Sequence, residues 1–278
     1  MSTIIRNWVL SAAGILILIM ASYAVYDRTA GNPGNGGEKP HKDMQAMNNT
    51  TEQKEHSSDH GSKPDNKQNE IQTDVEYDSG ELRIKLKDKN GNPVDQLDVN
   101  HEKLMHFIVV SRDLKQYYHL HPQKAEAGLF KVRHKLEPGS YRAFVDIKPK
   151  TKAYTVTPVD VQVGNNKTKS PDLTGDSDFT KTVSGYQLSM SPSSFKAKEP
   201  VTLSFKVKNG QPEPYLGARG HVVILDHTGR KYVHVHPLTE KETAFETTFD
   251  DPGLYKMWAE FKLNGKVITY PFIVHVKK

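Results

Sequence analysis

Two stretches of this chain are versions of one another, and that duplication constrains its architecture more than any single residue does. Residues 105–122 read MHFIVVSRDLKQYYHLHP, and residues 220–237 read GHVVILDHTGRKYVHVHP. His106 stands 13 positions before His119, His221 stands 13 before His234, and each later histidine opens His-x-His-Pro. Upstream, Asn90-Gly91-Asn92-Pro93 echoes Asn209-Gly210-Gln211-Pro212. Downstream, Glu137-Pro138-Gly139-Ser140-Tyr141 echoes Asp251-Pro252-Gly253-Leu254-Tyr255. Four features in one order at nearly one spacing make a tandem of two like domains.

Each copy has the pattern of a β domain. Leu82, Ile84 and Leu86 alternate with charged residues, as do Val201, Leu203, Phe205 and Val207 with their neighbours. Runs such as FIVV, HVVIL, YRAFVDI and YPFIVHV are β-branched and aromatic, and Gly, Pro, Asn and Asp punctuate them. The expected fold is all-β, with two tandem immunoglobulin-like or cupredoxin-like sandwiches over residues 75–165 and 179–278. A polar segment, 166–178, is expected to link them. Tyr141 and Tyr255, each two residues after a Pro-Gly, read as tyrosine corners leading into a late strand.

The amino-terminal part is different. Trp8 to Tyr26 is a run of 19 residues without a charge, just long enough as a helix to span a ~30 Å hydrocarbon core. With Arg6 before it, residues 1–27 are expected to form a transmembrane helix that leaves the rest of the chain outside the cytoplasm. A cleaved signal peptide ending at Ser22-Tyr23-Ala24, giving a secreted protein, is the second reading. From Asp27 to Asp74 the only Val, Ile, Leu, Phe, Tyr or Trp is Ile71, so residues 28–74 are expected to be a disordered tether. It carries His41, Met44, Met47, His56 and His60, side chains able to capture soft or borderline metals. The chain has no cysteine. That excludes disulfides, lipid attachment through cysteine, thiolate zinc, iron–sulfur clusters and blue-copper centres. Its 38 basic and 33 acidic residues give a net charge of +5, a mixed balance that does not point to nucleic acid.

The histidine spacing carries the chemistry. Residues 221–226 and 231–236, turned at Thr228-Gly229, would place 221 opposite 236; a turn at Asp113-Leu114 places 106 opposite 121 in the same way. Side chains alternate along a strand, so His119 and His121 share a face, as do His234 and His236. Opposed residues lie ~5 Å apart. Each copy should therefore converge three imidazoles, His106, His119 and His121 in the first and His221, His234 and His236 in the second. Three nitrogens with an open fourth position suit copper(II), zinc or nickel, and an exported location with Met and His in the tether favours copper, with zinc as the alternative. Tyr117 and Tyr232 share these faces. The plainer reading is that such histidines are hydrogen-bonded structural residues.

His101-Glu102-Lys103-Leu104-Met105-His106, followed by VVSRDL and His119-Leu120-His121-Pro122, resembles the YtkA-like exported bacterial proteins. The resemblance spans about residues 75–278 and is sharpest in the first copy. It implies an extracytoplasmic β-sandwich associated with copper handling, with His106, His119 and His121 as motif histidines. In the second copy Gly220 stands where the first has Met105, and no His-Glu-Lys precedes it.

The expected function is thus a membrane-anchored extracytoplasmic metal-binding protein, a chaperone or buffer for copper. The second reading is a non-enzymatic envelope interaction module, with another envelope protein as partner. An enzyme is not expected, because the motif holds no carboxylate placed as a general base, and no P-loop, nucleophile elbow or His-Glu-x-x-His occurs.

Overall fold

The computed structural model describes residues 69–278; the expected helix and most of the expected tether lie outside them. Every regular element in the described residues is a β-strand. The first repeat contains β1 (Ile71–Asp78), β2 (Glu81–Asp88), β3 (Leu97–Asp98), β4 (Met105–Ser111), β5 (Tyr117–Leu120), β6 (Gln123–Glu126), β7 (Leu129–Arg133), β8 (Gly139–Pro149) and β9 (Pro158–Val163). The second contains β10 (Thr180–Val183), β11 (Tyr186–Pro192), β12 (Pro200–Lys208), β13 (His221–Asp226), β14 (Tyr232–Val233), β15 (Val235–Pro237), β16 (Ala244–Thr248), β17 (Gly253–Leu263) and β18 (Lys266–Val276). β1 starts at Ile71 and pairs with β2 along its full length. The expected tether was therefore drawn four residues too far, because Ile71 and Val75 supply the alternating buried positions that a strand needs.

Each repeat is a sandwich of two antiparallel sheets. In the first, β1-β2-β7-β6 faces a sheet in which β8 lies between β4 and the pair β3 and β9, with β5 beyond β4. In the second, β10-β11-β12-β16-β15 faces β14-β13-β17-β18. Leu82, Ile84, Leu86, Phe107, Val109 and Val145 fill the first core, and Leu203, Phe205, Val222, Ile224, Met257 and Tyr270 lie in the second. The tyrosine corners form in both copies. The Tyr141 hydroxyl donates to the Glu137 carbonyl and the Tyr255 hydroxyl to the Asp251 carbonyl, each at 2.8 Å.

A third apolar cluster joins the two sandwiches. β4 is buried at every residue, which a strand with one wet face would not be. Met105, Phe107 and Val109 face its own core, while Ile108 and Val110 face the other repeat. They meet Val223, Leu225 and Trp258 there, with Phe144, Leu114 and Leu173 completing the cluster. The contacts are reciprocal. Tyr117 stacks on Trp258 with centroids 4.8 Å apart, and its counterpart Tyr232 lies 5.8 Å from Phe144, the counterpart of Trp258. His106 stacks face to face on its own counterpart His221, at 5.4 Å and 5°. The repeats meet through the same face, as the halves of a two-fold dimer do. The segment between them is not a free tether. Leu173 packs into this cluster, and the Asp176 amide donates to the Ile273 carbonyl at 2.8 Å.

Candidate metal centre

In the first hairpin Phe107 pairs with Leu120 and Ile108 with His119, so the register that opposes 106 to 121 is the one expected. Pleating then turns His106, His119 and His121 to one face, and their donor nitrogens lie within 4.8 Å of one another. That face is the one covered by the second repeat. His106 is 1% exposed and the His119 side chain 1%.

The second hairpin departs from expectation. Ile224 pairs with Val233 and Leu225 with Tyr232, but β14 ends there. The chain leaves the sheet at His234, and β15 joins the opposite sheet, where His236 pairs with Glu246. His236 therefore never reaches the place opposite His221. His234 and His236 keep their rings 4.3 Å apart on the exposed surface. Among the described residues, His221, His234 and His236 do not form a group able to hold an ion. Instead His221 turns into the first repeat's cluster, with its ring 4.5 Å from that of His119.

A residue the sequence reading passed over completes the cluster. Glu260, on β17, is the register partner of His221 and is 3% exposed. Its Oε2 lies 2.6 Å from His119 Nδ1 and 3.6 Å from His221 Nδ1. Burial pushes the Glu260 carboxyl up, but hydrogen bonds from the imidazoles outweigh it and hold its pKa at about 2. The signal was available, since Asp146 is its counterpart in the first repeat and pairs with His106. Burial raises the Asp146 pKa, while Tyr232 lies 3.4 Å away.

These partners fix the tautomers, because a carbonyl or a carboxylate can only accept. His106 Nε2 lies 2.9 Å from the Asn100 carbonyl, so Nε2 carries the proton and Nδ1 is bare. His119 Nδ1 donates to Glu260, which leaves Nε2 bare when the ring is neutral. His106 Nδ1 and His119 Nε2 lie 2.9 Å apart, a hydrogen bond when His119 carries a second proton and two opposed lone pairs when it does not. The third, His121 Nε2, is buried with no hydrogen-bond partner. A proton on His106 itself is disfavoured, since burial, then the neighbouring His221 and His119, hold its pKa down to about 3. With all three rings neutral, three lone pairs lie within 4.8 Å of one another, the donor set of a cation site.

The Asn100 carbonyl is aimed by a tight turn. Asn100 and Lys103 exchange backbone hydrogen bonds at 2.8 and 3.0 Å, and His101 and Glu102 between them have φ of 46° and 67°. Two successive left-handed non-glycine residues are strained. His101 is half-buried, with its ring 6.1 Å from His106 and 6.4 Å from His221. His134 packs on Tyr118, and His227 and His275 are exposed.

Comparison with known proteins adds a family. A model of a domain of unknown function, DUF8832, matches residues 65–164 and again 181–278. The chain belongs to the DUF8832 family. The two matched segments are the two repeats, so each sandwich is one DUF8832 domain and the composite cluster lies where two of them meet. No curated protein matches the chain in sequence. Similar solved structures include the Escherichia coli adhesin FdeC, at 15% identity and TM-score 0.24, over 76% of this chain and 65% of that one. The FN1–FN3 domains of chicken CNTN1 align at 10% identity and TM-score 0.22, over 74% and 67%. The Yersinia pseudotuberculosis adhesin InvE aligns at 12% and 0.21, over 76% and 55%. The chain thus spans about two-thirds of the length of FdeC. Likeness at that level assigns neither ligand nor partner to the DUF8832 pair.

Proposed function

We propose that this protein is a metal-binding protein of the cell envelope, held to the membrane by its amino-terminal segment, which buffers or passes on copper. What carries the reading is the convergence of His106, His119 and His121, whose donor nitrogens lie within 4.8 Å of one another, with His121 Nε2 buried and without a hydrogen-bond partner. Nitrogen ligands favour copper(II), nickel or zinc over calcium or magnesium. The spacing favours copper(II) or nickel(II) over a tetrahedral zinc, and the Met and His of the amino-terminal segment favour copper of the two. Bonds of ~2.0–2.1 Å at right angles put two nitrogens about 2.9 Å apart, whereas a tetrahedral ion puts them about 3.3–3.4 Å apart. His106 and His119 stand at 2.9 Å. Zinc remains the alternative ion. Glu260 would then act through His119, since a carboxylate on the far nitrogen of a ligand histidine fixes its tautomer and strengthens it as a donor. The resemblance of residues 101–122 to YtkA-like proteins and the uncharged run from Trp8 to Tyr26 support the envelope location.

The test is metal analysis of the full chain and of His121→Ala after equilibration with copper(II) and zinc. His121 is half-buried at the end of β5, so its loss should leave the fold intact. Tight copper in the wild type, weakened at least a hundredfold in the variant, is the expected result. Equal binding by both proteins would remove this function. An interaction module with structural histidines would then be the better account.

A further inference from the structure

His119 belongs to two donor groups at once. One is the group with His106 and His121; the other is His119 with His221 and Glu260, whose donor atoms also lie within 4.8 Å of one another. The two nitrogens of the ring serve different groups. Nε2 faces His106 Nδ1 at 2.9 Å, and Nδ1 faces Glu260 Oε2 at 2.6 Å. Each group also contains one buried nitrogen without a hydrogen-bond partner, His121 Nε2 in the first and His221 Nδ1 in the second. The His221 nitrogen lies 3.6 Å from Glu260 Oε2, beyond hydrogen-bond reach. A buried orphan of this kind is costly and asks for a ligand.

We propose that His119, His221 and Glu260 form a second divalent-cation site, with His119 as an imidazolate bridge between the two ions. The proposal rests on the reading of His106, His119 and His121 as the first site. The proton balance is simple. The Nδ1 proton that His119 now donates to Glu260 leaves to solvent, and the second ion takes its place between Nδ1 and Oε2. His221 Nδ1 supplies the third bond. The edges of this group, 2.6 and 3.6 Å, bracket the roughly 2.9–3.4 Å edges of a site with ~2.0–2.1 Å bonds. Loading is ordered, because a cation on Nε2 withdraws charge from the ring and makes the Nδ1 proton easier to lose. The imidazolate and the Glu260 carboxylate offset two of the four positive charges. Glu260 serving only as an outer hydrogen-bond acceptor would give one ion, so the two roles differ in a countable way.

The experiment is a titration of the full chain with copper(II) alone, measuring bound copper and the integrated electron spin resonance signal together. The first equivalent should give a full-intensity mononuclear signal. The second should lower the integrated signal as the two spins couple through His119, and His221→Ala should keep the first equivalent with no such loss. Copper held elsewhere, on the linker histidines for instance, would add signal rather than quench it. A second equivalent that only adds signal, or no second equivalent, overturns the bridge while the first site stands. The wild-type spin count decides this even if His221→Ala fails to fold. A first equivalent that survives unaltered in His121→Ala defeats the proposed function instead.

Discussion

Glu260 is the residue on which the geometry of the first site turns. It touches none of the three converging nitrogens, yet its bond to His119 Nδ1 leaves Nε2 of that ring to face His106. Glu260→Gln keeps the shape and removes the charge, and an amide can satisfy His119 in either tautomer. First-equivalent copper affinity should fall by about 10- to 100-fold, a usual loss for an outer-shell partner, as measured by competition against a chelator of known affinity. Unchanged affinity would mean that His119 is oriented by packing alone. At this scale the sequence was half legible. His106, His119 and His121 follow from strand alternation and a counted turn. Glu260 does not, because it lies 141 positions from His119, and only the meeting of two domains brings it close.

Among the elements, β13 and β14 show where counting failed. Their register is the one that the Thr228-Gly229 turn dictates, but the partner strand changes sheets after Val233. Alternation reads which face a side chain takes and is blind to a strand that leaves its sheet. The replacement of Met105 by Gly220 now has a reason. A Cβ at Gly220 would lie 2.6 Å from the Phe261 ring and 3.0 Å from the Glu260 carbonyl. Gly220→Ala should therefore push β13 off β17, costing about 1–3 kcal/mol in thermal or denaturant unfolding, as overpacking does. It should also weaken first-site copper binding by displacing Glu260. A variant with wild-type stability would show that Phe261 can step aside.

For the molecule as a whole, the sandwiches were legible from period-two alternation and the tyrosine corners, but their packing was not. The clue was present in FIVV and VVIL, apolar at every position, where a strand with one wet face would alternate. The same packing predicts acid sensitivity. His101, His106 and His121 have pKa values lowered to about 4, about 3 and about 4, by burial first and then by neighbouring imidazoles or lysine. Unfolding returns each to about 6.5. Between pH 6.5 and 4 the unfolded chain therefore binds more protons, so stability is fully present above that window and falls as pH falls through it. Melts of the metal-free chain should hold level above pH 7 and drop steeply below 6.5; a flat profile down to pH 4.5 would contradict the buried neutral cluster.

The reciprocal seam between the repeats has a consequence for dilution. Were the same two faces on separate chains, the site would come apart whenever the concentration fell below the pair's dissociation constant. On one chain the second half stays at an effective concentration that a short connection sets in the millimolar range, whatever the total amount of protein. The join also frees the halves to diverge. A symmetric dimer repeats each substitution on both sides, whereas here β15 could leave its sheet, and Gly220 could replace a methionine, without disturbing the strands that carry His106, His119 and His121.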